Sequence, residues 1–177
     1  SSGVSKKYRG TFLGACQKGT KNRSGQATGF DYIQSLGINV VQLQPISDRH
    51  KEYDWHGNVT YNWGYDPQNY NTPETSFSTN PTKPSQGMRD LKTMIQAYHD
   101  AGISVVIDVV YNHIYSTYDS PFQATMPDYY YRMNSDGSFQ NGTGVGSETA
   151  SEHEMFQKYM IDSLLYWVKE YNIDGFR

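Results

Sequence analysis

Asp108 lies inside the most apolar run of the chain, Ile103 to Tyr111, and His113 follows five residues later. A carboxylate in such a run is costly to bury unless a partner pairs with it. Arg177 follows Asp174-Gly-Phe at the end of another short extended run. A guanidinium there can hold a carboxylate in its ionised form through two parallel hydrogen bonds. Taken singly, each residue also has a plainer reading: Asp108 as a structural carboxylate satisfied by backbone or an arginine, His113 as a loop histidine, Arg177 as a surface arginine. The joint placement of Asp108 and His113 at the carboxyl end of one strand favours a site. Arg177, on a neighbouring strand, would point at the same place.

A second group is Tyr61-Asn-Trp-Gly-Tyr-Asp-Pro67, compact and aromatic, with Gly64 permitting a tight turn. It reads either as a packed knot of loop or as a support for a ring on which a pyranose stacks. His50, His56, His99 and His153 show no metal-ligand spacing, and no metal site is assigned. Gly142-Thr-Gly144-Val-Gly146 resembles a phosphate loop only superficially, because the Gly-Lys-Ser/Thr ending is missing. Glu74, Glu148 and Asp119 are further carboxylates of the long loops.

These residues need a scaffold at strand ends. Phe30, Ile33 and Leu36 recur at helical spacing before the Gly37 stop, and a Val/Ile-rich strand, Asn39–Gln44, follows. Met88, Leu91, Met94 or Ile95, and Tyr98 give a second helix stripe, Gly102 its stop, and Ser104–Val110 a strand expected to be buried on both faces. Two overlapping capping boxes, Thr149 to Glu152 and Ser151 to Glu154, open a third helix carrying Phe156, Tyr159, Leu164, Trp167 and Tyr171 on one side. The strand Ile173–Phe176 ends the pattern. Residues 1–25 read as loop, with one extended piece near Thr11–Leu13, and residues 114–150 as a long irregular segment. Alternating helices and strands predict parallel pairing in an α/β fold, doubly wound or barrel, with function at the strands' carboxyl ends. Three strands do not close a barrel, which takes ~250 residues. The chain ends on a strand whose last backbone groups have no neighbour within the sequence, and it reads as incomplete.

Composition narrows the function classes. Tyrosine occurs 16 times in 177 residues, enough for a stacking surface, although such rings also fill cores and loops. A net charge of −3 argues against a phosphate or nucleic-acid partner, which asks for a basic stripe. Cys16 is the only cysteine, so neither an internal disulfide nor a Cys-rich zinc site forms. No apolar run reaches the ~20 residues of a membrane span. No signal-peptide pattern opens the chain, and the compartment, extracellular or cytoplasmic, stays open.

Several segments, in order, resemble the alpha-amylase superfamily of glycoside hydrolases, and specifically the type I pullulanases. Tyr61 to Pro67 is similar to the signature of the pullulanases, Asp108-Val-Val-Tyr-Asn-His113 to the superfamily's first conserved region, and Asp174-Gly-Phe-Arg177 to the opening of the second. Pro127 to Arg132 and Thr149 to Glu152 also resemble stretches of this family. Asp128 stands where glycine is common, and Val145 and Ser147 where many relatives have Cys and Asn.

The resemblance implies a partial (β/α)8 barrel, first helix to fourth strand, spanning 1–177 as one domain with 114–150 as a loop insertion after the third strand. It implies retaining hydrolysis of α-1,6-glucosidic linkages in pullulan, starch or glycogen, an α-glucan being the partner. The nucleophilic Asp and the general acid Glu would lie beyond Arg177, leaving no catalytic residue in the chain itself. Arg177 would keep the nucleophile ionised, with Asp108 in the surrounding polar network. Tyr65 would stack on the sugar, His113 would hydrogen-bond its hydroxyls, Asn112 would brace the loop, and Tyr65, Asp108, His113 and Arg177 would gather in one cleft. No cofactor is assigned, and a structural calcium in the full enzyme stays open. Two alternatives remain: a non-catalytic carbohydrate-binding half-barrel, and another branch of the superfamily such as isoamylase or branching enzyme. The Tyr61 to Pro67 segment argues against the latter.

Overall fold

Each of the three helix-to-strand passages turns on a residue in the left-handed conformation. In a computed structural model that describes residues 2–177, these are Gly37 (φ 68°), Gly102 (φ 74°) and Asn172 (φ 59°). At Gly102 the motif is complete: Gly102 N–H donates to His99 O and Ile103 N–H to Tyr98 O, satisfying the last carbonyls of the helix. Asn172 does the same work without being glycine, as asparagine tolerates this region.

In chain order the regular elements are α1 (Phe12–Ala15), α2 (Gly29–Ser35), β1 (Val40–Leu43), β2 (Ser47–Arg49), β3 (Pro67–Pro73), α3 (Pro84–Asp100), β4 (Ser104–Ile107), α4 (Pro121–Thr125), α5 (Glu154–Tyr171) and β5 (Gly175–Phe176), with 3-10 turns at Lys6–Tyr8 and Thr75–Phe77. The residues fall into two compact units. One takes the chain up to Leu43 together with Pro73–Asp108 and Val168–Arg177; the other takes Gln44–Thr72 and Val109–Trp167. No helix is long and apolar enough to cross a membrane among the described residues.

The first unit holds a three-stranded sheet in the order β1-β4-β5, parallel throughout, with Val40 opposite Ser104 and Ile107 opposite both Leu43 and Phe176. The expected parallel pairing is thus present, in strands shorter than anticipated. The expected Ser104–Val110 strand ends at Ile107; the Asp108 N–H still reaches Leu43 O, but Pro45 beyond it has no N–H to give. Nor is β4 buried on both faces: Val105 and Ile107 are buried while Ser104 and Val106 are half-buried. The buried face meets α3, whose Leu91, Met94, Ile95 and Tyr98 form the anticipated stripe behind Pro84 in the first turn. Phe30 packs edge-on against Tyr98, centroids 5.0 Å apart.

Two sequence expectations give way here and in the second unit. Thr11 to Leu13 is not extended: Thr11 Oγ1 accepts the Gly14 N–H and caps α1. The two capping boxes do not open α5, which starts at Glu154; Thr149 Oγ1 donates instead to Tyr111 O, and Glu152 pairs with Arg132. Long-range partners outbid the local motif.

Asp174 extends the β4–β5 ladder with its side chain, accepting the Val105 N–H (2.7 Å) and pairing with His99 Nε2 (2.7 Å). Partial burial pushes its carboxyl up, but the Val105 and His99 contacts outweigh this and hold it below the usual range. A depressed carboxyl contributes stability above its unfolded pKa, about 3.9, that is lost as pH falls through the folded value. Asp174→Ala is therefore expected to cost about 1 kcal/mol at pH 7 in urea unfolding. The gap from the parent chain should close below pH 4, and a gap that is constant with pH would count against the assignment.

The second unit is built of the segments that follow β1 and β4 in sequence. Strands β2 and β3, not anticipated, make a two-stranded sheet. Tyr70, Ile114 and Tyr131 are buried together, with Tyr111, Phe122, Tyr130, Phe139 and Tyr159 packed around them. Burial pushes the Tyr131 hydroxyl up to about 12, against the bond it shares with Ser120. Much of the tyrosine surplus is core. The 114–150 segment is not structureless: it contains α4, capped by Ser120, and antiparallel bridges His113–Glu148, Tyr131–Thr149 and Met133–Phe139.

Candidate functional site

Asp108 and Arg177 each stand one residue past the end of a strand, β4 and β5, and parallel pairing brings them side by side. The Arg177 N–H donates to Ile107 O (3.0 Å), and its Nη1 donates to Asp108 Oδ2 at 2.5 Å. The Asp108 side chain is 3% exposed and the Arg177 side chain 60%. The buried carboxylate thus has the charged partner that its apolar setting demands, with the guanidinium at the surface end. Gly175 lies against Val106 in this ladder; a Cβ there would sit 3.2 Å from the Val106 side chain, which would have to give by a few tenths of an ångström.

Tyr65, Asn112 and His113 meet in the second unit. His113 is buried, and its Nε2 lies 2.6 Å from the Tyr65 carbonyl oxygen, its Nδ1 3.0 Å from the Asn112 side-chain oxygen. A carbonyl only accepts, so Nε2 donates there; the neutral ring then accepts at Nδ1, which pairs with the Asn112 side chain when its amide nitrogen faces the ring. His113 O in turn accepts the Tyr70 hydroxyl (2.8 Å), and Asn112 O accepts the Thr149 N–H (3.1 Å). Both ring nitrogens are engaged within the protein, so His113 here fixes the backbone that presents Tyr65, whose ring is exposed. The expected site residues therefore join as two groups, one within each unit.

The Tyr61 to Pro67 segment is both a knot and a presenter of rings. Asn62 Oδ1 accepts the Gly64 N–H (2.7 Å) while its amide donates to Asp66 Oδ2 (2.8 Å). Gly64 has φ 91°, and a Cβ would come within 2.8 Å of Pro45 O, so only glycine fits. Tyr61 and Trp63 remain exposed, their rings edge to face at 6.0 Å.

Sequence reasoning missed the role of Glu148. It is buried, ion-paired to Arg132 Nη1, and accepts the Gly142 N–H (2.6 Å). This explains why the Gly142 to Gly146 run is no phosphate cradle: Glu148 and Asn141 already occupy its N–H groups. Arg132 also grips Glu152, whose hydrogen bonds from that guanidinium hold its carboxyl below the usual range. Asp128 has φ 63°, anchored by Gln123 at both backbone and side chain, which accounts for an aspartate at a position suited to glycine.

Residues 11–142 match the model of the alpha amylase catalytic domain. The chain belongs to the alpha-amylase family. It is 39% identical over 174 residues to a pullulanase of Bacillus subtilis, covering 96% of this chain and 24% of that protein. It is 44% identical to a Paenibacillus barengoltzii pullulanase solved with maltohexaose and alpha-cyclodextrin, with a TM-score of 0.90 over 99% of this chain and 27% of that one. A pullulanase of Anoxybacillus sp. LM18-11 solved with maltotriose gives a TM-score of 0.92 at 44% identity, covering 99% and 25%. The chain thus spans about a quarter of the length of these alpha-amylase family relatives. Its α/β architecture accords with part of the family's barrel.

Proposed function

We propose that this chain is one part of the catalytic (β/α)8 barrel of a retaining, pullulanase-type hydrolase acting on α-1,6-glucosidic linkages of pullulan, starch or glycogen. In this reading residues 1–177 are a single partial domain, first helix to fourth strand, with 114–150 inserted after the third. The Asp108–Arg177 pair carries the proposal, because it fixes a guanidinium at the carboxyl end of neighbouring parallel strands, where barrel enzymes keep their chemistry. Arg177 would hold a nucleophilic Asp supplied from beyond it in the ionised state, with Asp108 setting the guanidinium's position. Tyr65 would stack on the sugar, while His113 and Asn112 hold the loop that offers it. His113 would meet a sugar hydroxyl only by exchanging one of its present partners. The chemistry is displacement at the anomeric carbon by one carboxylate while a second carboxyl group protonates the leaving oxygen, the two ~5 Å apart; water, deprotonated by that second group, then displaces the first carboxylate. The relatives named above, pullulanases solved with maltooligosaccharides, support a glucan as substrate.

The test is an assay of the whole protein that carries this chain, on pullulan and on amylose. We expect reducing ends from pullulan, a first product of retained anomeric configuration by NMR, and a lower kcat/KM with Tyr65→Ala. Cleavage of amylose without cleavage of pullulan would assign the protein to another branch of the family. Glucan binding with no turnover on either would favour the non-catalytic module.

A further inference from the structure

Residues 52–60 fold into a hairpin whose tip is not explained by its own geometry. Asp54 N–H donates to Asn58 O (2.8 Å), Gly57 N–H to Asp54 O (2.9 Å), and Gly57 takes φ 79°. Asp54 Oδ1 accepts the N–H groups of His56 and Asn58, and Tyr53 bridges Val59. This is a three-residue connection closed by a left-handed glycine. The chain uses the same design twice more. Asn22 to Gln26 and Asn134 to Ser138 repeat both backbone bonds, with Gly25 (φ 79°) and Gly137 (φ 83°) in the glycine position. Their tips are Arg23-Ser24 and Ser135-Asp136. Polar residues therefore satisfy this turn, and Trp55-His56 is a choice the backbone does not require.

Trp55 is 89% exposed, its ring against His56 with centroids 3.4 Å apart. Tyr53 (63%) and Tyr61 (77%) are open as well, and Trp63 is also exposed. One exposed ring is ordinary, whereas several gathered in one short segment mark a contact surface. The hairpin is stitched to the Tyr61 to Pro67 segment at its base, through Thr60 N–H to Glu52 O (2.9 Å), Asn62 Nδ2 to His50 O (3.3 Å) and His50 N–H to Asp66 O (3.1 Å). Its tip stands roughly 10 Å further out along the strands.

We propose that the Trp55 hairpin is a second stacking platform for an α-glucan chain, distinct from the Tyr61 to Pro67 segment. The inference rests on the glucan reading given above. Residues 52–63 contain no lysine or arginine, and the Asp54 carboxylate is taken up by the turn. An anionic lipid or nucleic acid would need basic groups here. A neutral sugar needs only an open aromatic face for its C–H side and a nearby polar edge, which Trp55 and His56 supply. A linear polymer can reach past the first stacking segment to this one.

The test is affinity electrophoresis of the 177-residue chain through gels containing pullulan, amylose or dextran. Retardation by pullulan and amylose is expected, with Trp55→Ala weakening it about three- to tenfold and Trp55→Phe retaining most of it. The thermal midpoint should not move, because Asp54 and Gly57 remain. Unchanged retardation of Trp55→Ala overturns the proposal. If that occurs while Tyr65→Ala abolishes retardation, the glucan reading survives and this inference alone falls. A parent chain that no α-glucan retards overturns both. Should Trp55→Ala remove self-association in sedimentation without altering retardation, a second copy is the occupant and the proposal is likewise overturned.

Discussion

Arg177→Ala is expected to destabilise the chain by about 3 kcal/mol, read as a lowered urea midpoint at pH 7. Removing one member of a buried ion pair leaves the other less compensated, and that loss, rather than the net worth of the pair, sets the size of the effect. Asp108 is almost wholly buried and Arg177 is largely exposed. The value therefore belongs at the lower end of the range for fully buried pairs, while remaining well above that of an exposed salt bridge. Two further variants separate charge from shape. Arg177→Lys keeps the charge but loses the planar fork, and should fall between the parent chain and the alanine variant. Asp108→Asn combined with Arg177→Ala removes the buried charge itself and should recover part of the loss. A shift below about 0.5 kcal/mol for Arg177→Ala would mean that other groups hold Asp108 in place.

That Asp108 and Arg177 point at one place was legible in the sequence, because it follows from strand direction, whereas their direct pairing was not read there. Two adjacent parallel strands, each ending in a charged residue, bring those residues together whatever the helices between them do. The α3 stripe and the glycine stops were readable for the same local reason, whereas of the first stripe only Phe30 is buried and Leu36 is exposed. Asn172 shows the limit, since the sequence rule looks for glycine. What escaped was non-local. The β2–β3 sheet consists of polar strands of three and seven residues with no alternating apolar signal, and the 114–150 segment is ordered by contacts far apart in sequence, such as Arg132 with Glu148 and Tyr70 with His113. His113 illustrates the cost of reading residues singly. Taken singly it reads as a loop histidine, and only the resemblance made it a sugar ligand, while its surroundings give it the Tyr65 carbonyl, a partner 48 residues away that no spacing rule could supply.

The largest expected effect is the absence of catalysis: the purified 177-residue chain should release no reducing sugar from pullulan above the uncatalysed rate. Retaining hydrolysis requires one ionised carboxylate and one protonated carboxyl ~5 Å from it, the acid kept neutral by a raised pKa. The loop carboxylates that could substitute are committed elsewhere. Glu74 is fully buried and caps the Thr75–Phe77 turn through the Ser76 N–H. Asp119 accepts from Ser116 Oγ at 2.9 Å. Glu148 and Glu152 are brought together, but by the guanidinium of Arg132, which bonds both. That cation lowers the Glu152 carboxyl instead of raising it, so Glu152 is held ionised and not neutral as an acid must be. Asp108 is likewise paired to a cation. The measurement is reducing-end release over a long incubation, with Arg132→Ala and Asp108→Asn beside the parent chain. Turnover by the parent that vanishes with Asp108→Asn would place a catalytic carboxylate in this segment and overturn the assignment of Asp108 to positioning. Turnover that appears only with Arg132→Ala would mean that Arg132 suppresses an acid–nucleophile pair formed by Glu148 and Glu152.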